Sequence, residues 1–433
     1  MYTLTTNKKL RLFTLCILYF AQGFPWGFML TALISFLASK GLTMVESGQL
    51  TAMAYLPWTF KLFWGPLIDS FGYRYMGKRR PWIIFAQSGM LVTLLIMCFI
   101  GDLLNNLYLL GWMFFLHNCF ASLQDVSCDG LAVDILEPDE QGTVNGSMWG
   151  AKVIGTGFGA GVMATVLNSY GLTVTILSQA LLMLIIMLVP LLIKERPNEK
   201  RFPWSKDDVK INNDSNIQNP AIIIKELFKA FKMKPAFYTA IFILLSAINQ
   251  GVNSGILPVF YNNDLNWEPD TYSQVSGGGG AFLEFIGAIL GGVLADKFGR
   301  RKIFLLGWGS FSILSGLFGY SIIAYSEVPY WIQLSYLLVY PSLIAIGTVA
   351  MFSLTMALSW SKASATMFTS YMAISNLSVV LGSKLIGPLT KNFSTGNIYV
   401  LMMVFCLFPV ALYKYMNPKL IIEIKNKLKN LDA

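Results

Sequence analysis

The sequence has little charge. Asp, Glu, Lys and Arg make up 13% of its 433 residues, about half the share found in a soluble domain, which excludes a water-soluble globular chain. There is one histidine, His117, and there are five cysteines, Cys16, Cys98, Cys119, Cys128 and Cys406. All five cysteines fall in apolar runs at spacings that fit neither a metal site nor a disulfide framework, so no metal and no cofactor is expected. A Walker-type phosphate loop, a His-Glu-x-x-His pair and a nucleophile elbow are all missing from the sequence, which argues against ATP hydrolysis and against an enzyme. No pore loop or ring of like charge is repeated, as a channel would require.

Apolar residues fill the space: 55% of the chain is hydrophobic and 14% aromatic. A membrane-spanning helix takes about 20 apolar residues. Cutting the hydropathy pattern at charges, prolines and glycine clusters predicts six spans near 11–38, 46–68, 82–101, 107–136, 143–167 and 172–193. Six more follow near 235–261, 272–295, 303–325, 329–357, 363–390 and 396–415. The first run is too long for a signal-peptide core and has no small-residue cleavage pattern, so it is expected to stay as a span. The expectation is an all-α integral membrane protein of twelve helices in two six-helix bundles, residues 1–193 and 235–415. A cytoplasmic linker, 194–234, joins them, and a tail, 416–433, follows.

Charge sets the orientation. With the N-terminus in the cytoplasm, 27 of the 32 Lys and Arg fall on cytoplasmic segments, three (Lys61, Lys152, Lys384) lie within helices, and only Lys40 and Lys391 lie outside. The positive-inside rule then puts both termini in the cytoplasm. The +9 net charge follows from this topology and from anionic inner-leaflet lipid, with no need for a nucleic-acid partner. In the linker, Ile223, Leu227, Phe228 and Phe231 recur at helical spacing with Lys225, Lys229 and Lys232 between them, the pattern of a helix lying on the membrane surface. Leu420, Ile424, Leu428 and Leu431 in the tail repeat it.

Two loops carry one motif. Gly65-Pro-Leu-Ile-Asp69-Ser-Phe-Gly72 with Lys78-Arg79-Arg80 recurs as Gly292-Val-Leu-Ala-Asp296-Lys-Phe-Gly299 with Arg300-Arg301-Lys302, 227 residues on and at the same place in each half. This is the internal symmetry of two-fold transporters. The glycine lets helix ends approach, the aspartate can accept from arginine or a helix N-terminus, and the basic cluster anchors the loop at the headgroups. Gly65, Asp69, Arg79, Arg80, Gly292, Asp296, Arg300 and Arg301 thus read either as a conformational latch or as a topology anchor.

The paired motif, the twelve spans and the central linker resemble the major facilitator superfamily over nearly the whole chain. The first half is similar to its AmpG-like branch of muropeptide permeases, acetyl-CoA transporters and siderophore importers. That likeness rests on Leu56-Pro-Trp58-Thr-Phe-Lys61 with Trp64, Pro66 and Asp69; on Gly77-Lys-Arg-Arg-Pro-Trp82 with Gln87; on Ser122-Leu-Gln-Asp125-Val-Ser-Cys-Asp129; and on Gly142 to Gly155 with Lys152. The second half matches only the general pattern, and the two extra helices common in AmpG permeases are missing. The resemblance implies a secondary transporter of the bacterial inner membrane, working by alternating access and as a monomer. Its first, fourth, seventh and tenth helices would line a cavity, and its third, sixth, ninth and twelfth would face lipid.

Charges in mid-membrane normally face protein or a water-filled path. The six here are Asp125 and Asp129 in the fourth span, Glu284 in the eighth, Lys61, Lys152 and Lys384; none falls on the four helices that the resemblance turns to lipid. Asn118, Ser122, Asp125 and Asp129 form one stripe along a helix face. Lys152 lies near Asp129 in depth and is the candidate cation for that carboxylate. Asp125, Asp129, Lys152 and Glu284 are therefore the expected proton-coupling groups, with a static salt bridge as the alternative for the lysine and aspartates. Gln22, Trp26, Lys61, Asn118, Gln124, Asn249, Gln250 and Asn253 are expected to bind substrate, since amides and aromatics suit a polyhydroxylated or amide-bearing solute better than a bare ion. His117 reads as a structural group or as part of a proton path. The run Gly277 to Gly280 permits close packing or local unwinding. The expected function is proton-coupled import of a siderophore or muropeptide, with proton-driven efflux and acetyl-CoA transport as alternatives, and a non-transporting sensor as a third class.

Overall fold

The computed structural model describes residues 3–71, 74–137, 140–205, 227–229, 231–359 and 364–416, and within them every regular element is a helix. The linker segment 206–226 and the tail from 417 lie outside the described residues, and with them most of both expected surface helices. In chain order come α1 (Lys8–Ala38), α2 (Met44–Tyr55), a 3-10 turn (Leu56–Phe60) and α3 (Lys61–Ser70). Next are α4 (Arg80–Met97), α5 (Leu107–Ile135), α6 (Gln141–Gly157) and α7 (Met163–Leu192). Beyond the linker lie α8 (Lys234–Ser246), α9 (Ile248–Asn263), α10 (Pro269–Phe298), α11 (Arg300–Ala324), α12 (Tyr330–Leu358), α13 (Ser364–Asn392) and α14 (Thr395–Leu407). A 3-10 turn (Phe408–Tyr415) closes the series.

Among the described residues, nine helical runs are long and apolar enough to cross a membrane. One of them, Val144–Leu192, has 49 residues, more than twice the length that one crossing needs, and Gly171 at φ 80° turns the chain within it. The expected second and fourth spans are helical but fall outside the nine. A 3-10 turn cuts the second, and α5 carries His117, Asn118, Gln124, Asp125 and Asp129 on its apolar ground. Large exposed apolar side chains crowd α4 (Val92, Ile96), α7 (Leu181, Ile185), α11 (Leu306, Leu317) and α14 (Val404), where a hydrocarbon solvent would meet them.

The chain packs as two units. One comprises Met1–Glu46, Met53–Ile217 and Pro258–Ala281; the other comprises Ser47–Ala52, Gln218–Leu257 and Phe282–Ala433. Each is seamed by glycine. In the first, α1 crosses α6 so closely that a Cβ on Gly23 would lie 2.1 Å from the Lys152 carbonyl oxygen, and one on Gly155 2.5 Å from that of Phe20. In the second, a Cβ on Gly251 would lie 2.1 Å from the Val379 oxygen, and one on Gly382 2.1 Å from that of Ile248. Small residues are what allow helix backbones to approach this far. Gly23 and Gly251 are 228 residues apart and Gly155 and Gly382 are 227 apart, so the repeat seen in the loops extends to the packing.

Three π-helical segments meet within the first unit: Phe28–Leu33 in α1, Phe158–Val162 between α6 and α7, and Val275–Gly280 in α10. The four-glycine run both widens its helix and packs closely. A Cβ on Gly277 would lie 2.2 Å from the Ala160 Cβ, while Gly278 opens onto free space.

Candidate functional site

The site is built on α5, where positions 118, 122 and 125 form one edge. The 3-10 turn and the start of α3 present a matching edge, because three residues per turn stack Trp58 and Lys61 above one another and α3 adds Trp64. Three contacts join the two edges, and the last two cross. Trp58 Nε1 donates to Asn118 Oδ1 at 3.1 Å, Lys61 forms an ion pair with Asp125, and Trp64 Nε1 donates to Ser122 Oγ at 2.9 Å. From α6, Lys152 reaches the other oxygen of Asp125 at 3.7 Å and lies 4.7 Å from the centre of the Trp58 ring. Trp58 also meets Trp26 edge to face at 5.6 Å, and Trp26 meets Tyr55 at 4.7 Å. A buried carboxylate is thus held between two ammonium groups beside an aromatic wall.

This pairing corrects one expectation. Lys152 lies on Asp125, and the partner of Asp129 is Tyr19 of α1, whose hydroxyl donates to Oδ1. Depth along the helix places Lys152 near both aspartates; azimuth decides between them, and it is Asp125 that the ammonium reaches. The two carboxylates also differ in exposure, since Asp125 is 3% exposed and Asp129 lies on an exposed position of its helix.

The other expected ligands divide. Gln22 is buried with neither end of its amide hydrogen-bonded among the described residues, and Trp26 is half-buried. Gln124 donates to the Leu18 carbonyl at 2.9 Å, tying α5 to α1. Asn249 and Asn253 of α9 are buried, and their carbonyl oxygens accept from Ser315 Oγ at 3.4 Å and from the Tyr336 hydroxyl at 2.6 Å. The oxygen of each amide is therefore engaged with α11 or α12 while its nitrogen has no hydrogen-bond partner among the described residues, and Gln250 stays half-buried. Glu284 is half-buried and Lys384 exposed. His117 is buried, with Nδ1 2.9 Å from Thr93 Oγ1, a helix-to-helix tie.

The repeated loops also do corresponding work. Arg79 Nε donates to Asp134 Oδ2 of α5 at 2.9 Å, passing so close to Gly130 that a Cβ there would lie 2.8 Å from the guanidinium carbon. Arg80 donates to the carbonyls of Pro190 (2.5 Å) and Leu191 (2.7 Å) at the end of α7, and to those of Lys200 (3.0 Å) and Arg201 (2.6 Å). In the second unit Arg300 donates to the Ser353 carbonyl of α12 at 3.2 Å and Arg301 to that of Tyr413. Asp296 is exposed, and the side chain of Asp69 lies outside the described residues. The α4 N-terminus has its own anion as well: the Glu195 carboxylate accepts from the backbone N–H groups of Lys78 (3.2 Å), Arg79 (2.9 Å) and Arg80 (2.5 Å). Burial and the neighbouring Glu195 push the Glu199 carboxyl up to about 7.

Several known proteins are similar to this chain. A Rickettsia felis protein named as an AmpG transporter is 24% identical over 305 residues, covering 68% of this chain and 70% of its own length. The Escherichia coli anhydromuropeptide permease is 22% identical over 390 residues, covering 88% and 73%. Among solved structures, a D-xylose-proton symporter superposes with a TM-score of 0.72 at 13% identity over 95% of this chain and 98% of that one. The nucleoside transporter NupG superposes with a TM-score of 0.69, also at 13% identity, over 93% and 99%. The family model of the Major Facilitator Superfamily matches residues 15–252 and again 239–421. With that fold, these relatives and a repeat that reaches from loop motif to helix packing, the chain belongs to the major facilitator superfamily, as a multi-pass membrane transporter.

Proposed function

We propose that this chain is a proton-coupled importer in the bacterial inner membrane, with twelve spans and both termini cytoplasmic, and that its solute is a muropeptide-like glycopeptide. One observation carries the coupling: two neighbouring carboxylates on one helix face differ in exposure and in partners. Asp125 is buried between Lys61 and Lys152, whereas Asp129 is at an exposed position and held by the Tyr19 hydroxyl. A proton arriving at Asp129 changes the charge one helical turn from Asp125. That turn is close enough to alter how firmly Asp125 holds Lys152, the more exposed of its two lysines. A solute carboxylate can then take Lys152, which links proton entry to substrate binding.

Substrate class is supported by the site and the relatives together. Trp26, Tyr55 and Trp58 form an aromatic wall suited to a sugar face. Gln22 has an amide ready for a peptide group, and the Escherichia coli relative is named an anhydromuropeptide permease. The test is energised uptake into cells or vesicles of labelled muropeptide, ferric siderophore and acetyl-CoA in parallel. Protonophore-sensitive uptake of muropeptide is the expected result. Energised loss of preloaded compound with no uptake of any of the three would replace import with efflux.

A further inference from the structure

The two units treat the same corner of the repeat differently. In the first, the space where α4 begins and α7 ends is closed by the chain itself: the Lys200 N–H donates to the Tyr75 carbonyl at 2.7 Å, and Glu195 places its carboxylate on the α4 N-terminus. In the second, the corresponding corner lies between the start of α11 and the turn Phe408–Tyr415. Arg301 holds the Tyr413 carbonyl there and lies 4.3 Å from the centre of its ring, as Arg80 holds that of Pro190. Here a cavity of about 420 Å³ remains, lined by Lys302, Leu305, Leu306, Val410, Tyr413 and Lys414 among others, with two lysines and no carboxylate among the described residues. Both lysines are exposed.

We propose that this groove binds an anionic phospholipid, its phosphate between Lys302 and Lys414 and an acyl chain along Leu305, Leu306 and Val410. The groove is amphipathic in the way a lipid is, basic at the end where the repeat's arginines gather and apolar along the rest. Leu306 in its lining is an exposed apolar side chain, as are Leu317 farther along α11 and Val404 of α14, so the helix that walls the groove presents apolar side chains where hydrocarbon would meet them. Basic pockets between spans recognise anionic headgroups, and each lysine near the surface adds to that attraction. The lipid phosphate supplies in the second unit the anion that Glu195 supplies in the first.

The experiment is native mass spectrometry of the full chain in detergent, titrated with phosphatidylglycerol and with phosphatidylcholine of the same acyl chains. Two lysines predict roughly thirtyfold tighter retention of the first phosphatidylglycerol. That preference should vanish in Lys302→Gln/Lys414→Gln and persist in a control carrying Lys9→Gln and Lys297→Gln, with circular dichroism and gel filtration confirming that both remain folded. Equal retention of the two lipids by the unmodified chain, or an unchanged preference in the Lys302/Lys414 variant, would overturn the proposal. So would full displacement of phosphatidylglycerol by millimolar glycerol phosphate, which would mark a site for free anions. A photo-cross-linker at Leu306 that captured residues beyond Met416 in place of lipid would overturn it too.

Discussion

Lys61 and Lys152 both face Asp125, yet their surroundings make them unequal partners. The Lys61 side chain is 6% exposed, that of Lys152 21% and that of Asp125 4%. A pair about 4 Å apart attracts by about 4 kcal/mol at an effective dielectric constant near 20, and removing one member of a buried pair costs about 3–5 kcal/mol because the other is left charged in a dry place. For Lys61→Met the low end applies, about 3 kcal/mol, since Lys152 still lies 3.7 Å from the carboxylate. For Lys152→Gln the loss should be about 1 kcal/mol, because that ammonium is partly hydrated and Lys61 still neutralises Asp125. Adding Asp125→Asn to Lys61→Met removes the buried carboxylate, which then has only the partly hydrated Lys152 as its partner, and should recover about half of the loss. Thermal melts of the purified protein in detergent, followed by tryptophan fluorescence, give the full double-mutant cycle. Equal losses for the two lysine variants, or a double variant no more stable than Lys61→Met, would refute the argument from burial.

Tyr19→Phe leaves the ring packing in place and removes the donor to Asp129, so the same melts should register about 1.5–3 kcal/mol, the range for a hydrogen bond to a charged group; no change would mean that the bond does not form in the membrane protein. Gly23→Ala drives a methyl into the Lys152 carbonyl and should cost about 1–3 kcal/mol, whereas Gly65→Ala, where an added Cβ meets nothing within 4 Å, should fall within about 0.5 kcal/mol of the parent. Glu199 is held near 7 by burial and by Glu195, against the attraction of Arg80 and Arg196. Its folded pKa is raised, so the folded chain binds the extra proton between about 4.5 and 7, and stability falls as pH rises through that window, by up to about 3 kcal/mol. Glu199→Gln should flatten this slope in melts run from pH 5 to 8; an unchanged slope would assign it to other groups.

Sequence spacing read the α5 edge well because a helix converts positions 118, 122 and 125 into one line whatever surrounds it. The rungs opposite were half legible. Trp58, Lys61 and Trp64 recur every three residues, which is the period of the 3-10 turn that starts them and not of an α-helix. Tyr19 left no charge signal, although it stands three residues before Gln22 and seven before Trp26 and so shares their helical face. The partner of Lys152 depended on azimuth, which a depth count does not contain. Asn249 and Asn253 looked like cavity ligands because amides in an apolar span must face something polar; Ser315 and Tyr336, 66 and 83 residues away in sequence, meet that need for the two amide oxygens inside the second unit, and leave the amide nitrogens without a partner among the described residues. The repeat was visible where glycine and charge coincide in the loops. In the seam, where glycine stands alone, it emerged only from the packing.

The three π segments have a further consequence. Each holds about one residue more than an α-helix would place in the same length, and one residue corresponds to about 100° of helical rotation. A bulge that slides one turn along its helix re-aims the side chains it passes by about that angle, while the ladder on either side keeps its bonds. In α1 Trp26 and Gly27 stand just before the bulge and Gln22 six residues before its start, and Lys152 lies six residues before Phe158–Val162. The slack stored where these helices meet is thus a ratchet's worth of torsion, sited where a small slip would turn an amide and an indole into or out of the site without unwinding a single span.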